Sequence, residues 1–114
     1  ARRLSEHPFG LSMERLERMA DTGCSMVHDA VNAFLNRDLD LAQVTARKDD
    51  EIDANHKAFL NEVLEFLTKN PDKLQLGTKL LSTSSYLERL GDHVTNLCEA
   101  VVFMMDGRHV ELNE

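Results

Sequence analysis

The stretch Phe59-Leu60-Asn61-Glu62-Val63-Leu64-Glu65-Phe66-Leu67-Thr68-Lys69-Asn70-Pro71-Asp72 decides the fold. Up to Lys69 it carries Phe59, Val63 and Phe66 at three- and four-residue spacing, the pattern of one buried helix face. Asn70, Pro71 and Asp72 then stop the helix, because proline lacks the amide hydrogen and its ring clashes with the preceding turn. Proline also suits the first position of a new helix, so the chain turns back on itself. Two helices joined by so short a turn lie antiparallel.

The same apolar line runs upstream through Ile52, Thr45 and Leu41 in nearly regular heptads, with Asp49 and His56 as polar members, back to Asp38 or Asp40 as caps. Before it, a first segment follows Pro8, Phe9 and Gly10. Ser12 is its expected N-cap, its apolar line is Leu16, Met19, Ala20, Gly23, Val27, Ala30, Val31 and Phe34, and Asn36-Arg37-Asp38 ends it. Downstream of the turn a third segment carries Leu80, Leu87, Leu90, Val94, Leu97, Cys98, Val101 and Met105, with Asp106-Gly107 as its expected stop. The expectation is an all-α fold, an antiparallel up-down-up bundle of three long helices over residues 12–36, 40–69 and 73–106, within a single domain spanning 1–114.

Composition agrees with helices: 17 Leu against one Ile, with only 5 Gly and 2 Pro in 114 residues. A net charge of −7 argues against nucleic acid, which needs a concentrated basic face. No run approaches the roughly 20 apolar residues of a membrane span, and no apolar leader opens the sequence, so a soluble intracellular protein is expected. Cys24 and Cys98 are too far apart in sequence for a CxxC motif and read as reduced core residues. In the bundle they would sit roughly 13 Å apart in height, beyond the reach of a disulfide.

Two acidic pairs carry the chemistry. Asp49 and Asp53 are four residues apart in Asp49-Asp50-Glu51-Ile52-Asp53, as are Glu88 and Asp92 in Glu88-Arg89-Leu90-Gly91-Asp92-His93. Each pair shares one helix face, where like charges repel. Both lie about 18 residues from the turn at 70–72, one before and one after, so an antiparallel hairpin brings them to one height. Counting about the first turn brings Ser25 to Asp29 to the same level and makes Asp29 and His28 possible neighbours. Four carboxylates from facing helices are a means of holding divalent or trivalent metals in a bundle. The ordinary alternative is a pair of solvated faces with Arg47, Lys48 and Arg89 as partners.

His56 and His93 are candidate extra ligands or outer partners, each with a purely structural alternative. Gly91, placed mid-helix against its propensity, reads as permitting close helix approach, and the methionines read as core filling. No activated nucleophile, P-loop or dinucleotide fingerprint is present, and Asp53-Ala54-Asn55-His56 matches a di-iron Glu-x-x-His motif only in part.

The run Tyr86-Leu87-Glu88-Arg89-Leu90-Gly91-Asp92-His93-Val94-Thr95-Asn96-Leu97-Cys98-Glu99 resembles the third-helix motif of the PhoU family of phosphate-uptake regulators, and Asn36-Arg37-Asp38 with Asp49 to Asp53 resembles its second helix. The resemblance spans residues 12–108. It implies metal clusters on E(D)xxxD motifs, matched here by Asp49 with Asp53 and by Glu88 with Asp92; Asn96 and Glu99 belong to the same motif. Iron, zinc, manganese or magnesium would suit such a site, and the resemblance implies a multinuclear one. The implied role is a cytoplasmic, non-enzymatic regulator linking the Pst transporter ATPase to a phosphate-sensing histidine kinase. Two alternatives stay open: an accessory domain of another transporter or channel, and a carboxylate-bridged metal enzyme. The family has two three-helix repeats and this sequence has one, resembling the second, so a fragment and a homodimer or domain-swapped assembly are expected.

Overall fold

The computed structural model describes residues 10–113, with side chains for 10–106. It is all-helical: α1 Glu14–Asn36, α2 Leu39–Arg47, α3 Asp49–Lys69, a 3-10 turn Pro71–Lys73, and α4 Leu74–Asn113. Since α2 and α3 continue one another, the architecture is an antiparallel bundle of three long helices, one of them broken. No described helix is long and apolar enough to cross a membrane.

Local chemistry sets each boundary. Ser12 accepts a hydrogen bond from the Glu14 amide at 3.2 Å, satisfying one of the donors left over at the start of α1. At the other end Arg37 adopts the left-handed conformation (φ 52°), and the Asp38 amide reaches back to the Ala33 carbonyl at 2.9 Å. Asp38 then caps α2, its carboxylate accepting from the Leu41 amide at 3.0 Å.

The expected second helix is interrupted at Lys48. The Lys48 amide bonds the Thr45 carbonyl at 3.0 Å, and the Glu51 amide bonds the Lys48 carbonyl at 3.1 Å. These are three-residue steps, tighter than the α-helical four. Asp49, Asp50 and Glu51 thereby occupy the first turn of a new helix, where carboxylates meet the positive end of its dipole. At the second turn, the Asn70 side-chain amide donates to the Phe66 carbonyl at 3.0 Å, and Pro71 opens the 3-10 turn.

α4 runs past Asp106-Gly107, where a stop was expected. Gly10 is the glycine with positive φ among the described residues, so Gly107 makes no left-handed cap, and without a proline nothing else ends the helix there. At 40 residues α4 measures about 60 Å, close to the 62 Å length of the molecule.

The core has two parts. Nearest the 70–72 turn, Leu11, Met13, Phe59, Val63 and Phe66 pack with Leu16, Leu67, Leu80 and Leu81. Further along, Met19, Met26, Ala30, Ala33, Ala42, Ile52, Val94, Cys98 and Val101 form the second part. On α1 the buried seam is Met19, Gly23, Met26, Ala30 and Ala33. Val27, Val31 and Phe34, expected inside, lie one position round the helix and are 38%, 42% and 43% exposed. The two seams are about 100° apart and both apolar; the bundle buries the one whose small residues let helices approach. Cys98 is buried as expected, whereas Cys24 belongs to the outer seam and is exposed, and both thiols are free.

Candidate metal centre

The acidic cluster is built on a layer where glycines let α1 and α4 approach Ile52 of α3. Fully buried Ile52 lies between Gly23 of α1 and Gly91 of α4: a β-carbon at Gly23 would be 4.0 Å from its Cδ1, and one at Gly91 3.2 Å. The residues flanking Ile52 and Gly91 are thus carried to one height. Asp49 and Asp53 project from successive turns of α3, and Asp92 meets them from α4, with a carboxylate oxygen of each within 4.8 Å of the others. Glu88, one turn earlier on α4, faces Asp53 closely enough to share a proton with it.

Three of the four side chains are half-buried and Asp92 is exposed. Partial burial costs a carboxylate its hydration, and neighbouring negative charge adds to that cost. Both effects push the Asp49 carboxyl up to about 6: burial is the largest cause, followed by the charges of Asp53 and Asp92, a proton shared with Asp92, and Glu88. Glu88 is raised by burial, then by Asp92 and Asp53, with His56 opposing.

Among the described residues, no hydrogen-bond partner to the cluster's inner oxygens offsets this cost. Asp49 Oδ1 and Asp53 Oδ1 are buried without a hydrogen-bond partner. Lys48, a neighbour in sequence, turns away to Asp29 at 3.2 Å and Ser25 at 3.4 Å. An all-oxygen donor set from two helices, two of its atoms inaccessible and unpaired, fits a hard cation such as Mg, Mn or Fe.

The remaining candidates are placed variously. His56 is half-buried beside Glu88, its Nδ1 2.7 Å from Ser84 Oγ, and Ser84 in turn reaches Met19 Sδ at 3.6 Å. His93, Asn96 and Glu99 are exposed on α4. Asp29 is engaged by Lys48 on the α1–α2 side, and His28 pairs with Asn32 at 3.1 Å. The part of α1 level with the cluster is Thr22 and Gly23, since Thr22 donates to Glu51 at 3.2 Å and Gly23 meets Leu90. Counted about residue 38, Asp49 and Asp53 fall level with Val27 and Gly23, in agreement with the approach of Gly23 to Ile52, so the expected level of Ser25 to Asp29 lay about half a helical turn too far along α1. Sequence reasoning did not single out Thr22, nor give Ser84 a partner; for Ser84 the signal was a polar residue on the apolar line between Leu80 and Leu87.

The PhoU domain family model matches residues 16–101. A protein of Clostridium acetobutylicum named phosphate-specific transport system accessory protein PhoU homolog is 36% identical over 90 residues, covering 79% of this chain and 41% of that protein. Proteins of the same name from Streptococcus pneumoniae serotype 4 (30% over 110 residues; 96% of this chain, 51% of theirs) and Caulobacter vibrioides (29% over 103 residues; 90% and 45%) are also similar. The chain spans about half the length of the curated relatives it matches. No solved structure matches it. With the family model covering most of its length and the acidic pairs of α3 and α4 at its centre, the chain belongs to the PhoU domain family.

Proposed function

We propose that this chain is a metal-binding, non-enzymatic domain of a phosphate-transport accessory protein, acting in the cytoplasm as an adaptor between the Pst transporter ATPase and a phosphate-sensing histidine kinase. The transport role is drawn from the names of the relatives. The observation that carries the metal reading is the pair of buried, unpartnered oxygens, Asp49 Oδ1 and Asp53 Oδ1, facing Asp92. Asp49, Asp53, Glu88 and Asp92 would hold one or more ions of iron, manganese, magnesium or zinc. A bound cation supplies the positive charge that this carboxylate group lacks. The four residues, held together, fix the spacing of α3 against α4 and give partners a rigid surface.

Two measurements test this together. Protein purified without chelator contains metal by elemental analysis, and Asp49→Ala with Asp92→Ala removes it. The same double variant loses binding to the transporter ATPase and to the kinase. Metal lost with partner binding intact would sink the adaptor mechanism while leaving the site.

Self-association belongs to the same proposal. Val27, Val31, Phe34 and Leu35 form an exposed apolar stripe on α1, Leu35 being 68% exposed. Light scattering at micromolar concentration is expected to show a dimer, and Val31→Glu with Phe34→Glu a monomer. A stable wild-type monomer would overturn this part.

A further inference from the structure

Gly91 is buried in the middle of α4, between Glu88 and Asp92 in sequence. Helix propensity disfavours glycine there, so its presence needs a spatial cause. A β-carbon built on it would collide with Asp49 Oδ1 and lie 3.4 Å from Asp49 Cγ and 3.2 Å from Ile52 Cδ1. The first contact is with the carboxylate of Asp49, in the first turn of α3. That oxygen is also one of the two carboxylate oxygens of the cluster that are buried without a partner. The volume where a side chain would begin is therefore taken by an acid from the facing helix.

We infer that Gly91 is a positioning residue for Asp49: its missing side chain is what lets the Asp49 carboxylate lie against α4, within reach of Asp92 and Asp53. Ile52 makes the floor of the same layer, so the carboxylate has little room to retreat inward. A methyl group at position 91 forces it outward, toward solvent and away from Asp92. The cluster would then lose its inner oxygen although all four acids are still present. This inference rests on the metal-binding reading for its first readout and on geometry alone for its second.

The test uses Gly91→Ala, Asp49→Ala and the double variant, with Mn2+ titration and urea unfolding of chelator-treated protein. Gly91→Ala is expected to bind Mn2+ at least tenfold more weakly than wild type, and to add no further loss in the Asp49→Ala background. In urea, Gly91→Ala shifts the midpoint of the metal-free wild type less favourably than that of Asp49→Ala, where the collision with the carboxylate is gone and only the Ile52 contact remains. Wild-type Mn2+ affinity in a folded Gly91→Ala protein would overturn the inference, as would equal effects of Gly91→Ala in both backgrounds. If Gly91→Ala alone does not fold, the double variant decides: folding like Asp49→Ala supports the inference, and failing to fold overturns it. Should the wild type bind no Mn2+, the metal reading falls, and the urea coupling still decides the role of Gly91.

Discussion

Replacing Asp49, Asp53, Glu88 and Asp92 by their amides is expected to abolish metal binding and, at pH 7 and without metal, to stabilise the fold. The two effects have opposite signs for one reason. Without a cation the carboxylates oppose folding, since burial and mutual repulsion raise Asp49 to about 6, against about 3.9 in an unfolded chain. A raised carboxyl means that the folded state holds its proton more tightly than the unfolded state. Its contribution is therefore favourable when the proton is bound and is lost as pH rises through 6. Glu88 is shifted in the same direction.

Urea midpoints of metal-free wild type should thus rise as pH falls from 7 to 5, by about 1 kcal/mol once solvent screening of these half-exposed groups is allowed for. The quadruple variant should lack that slope. With Mn2+ at a hundred times its dissociation constant, the wild type should gain about 2.7 kcal/mol and the variant nothing. Metal affinity should weaken below pH 6, because protons compete for the same oxygens. A metal-free wild type that loses stability between pH 7 and 5 would contradict this account of the cluster.

Truncating Phe59 to alanine should be the most damaging single change in the core. Phe59 is fully buried and sits with Val63 and Phe66 where α3 meets the start of α1 and the first turns of α4. Removing a buried aromatic ring costs about 3–5 kcal/mol through lost burial and the cavity left behind. Domains of this size have only about 5–15 kcal/mol of stability, so the variant should be partly unfolded at 37 °C. Leu60→Ala, one position round the helix where the side chain is 37% exposed, should cost under about 1.5 kcal/mol in the same urea assay. Similar losses at the two positions would mean that the face of α3 packed in the core is wrongly assigned.

The contrast between neighbouring positions also explains what could be read in advance. The Asn70-Pro71-Asp72 turn is tight enough that residues equidistant from it meet, so the encounter of Asp49 and Asp53 with Asp92 followed from counting. On the other side of the bundle the same arithmetic, taken about residue 38, sets Asp49 to Asp53 against Gly23 to Val27, as the approach of Gly23 to Ile52 requires; the expected level of Ser25 to Asp29 lay about two residues too far along. The break at Lys48 was not legible, because backbone hydrogen bonds alone make it, with no glycine or proline to announce it. On α1, two apolar lines one residue apart satisfy the same periodicity. Only packing against Ile52 and Leu90 selects the one through Gly23. Gly107 misled for a related reason: glycine weakens a helix, but ends one only when the backbone turns left-handed, which it does not do there.

The length of α4 has a mechanical consequence. Its forty residues span 74–113, so its midpoint falls beside Asp92 and His93, at the layer where it is gripped by α3. On one side of that layer Leu80 and Leu81 are packed into the first part of the core, and on the other Cys98 and Val101 are packed into the second. The helix is thus a spine held along its length, and the acid layer is the joint through which a change in the grip of Asp49 and Asp53 reaches both parts of the core.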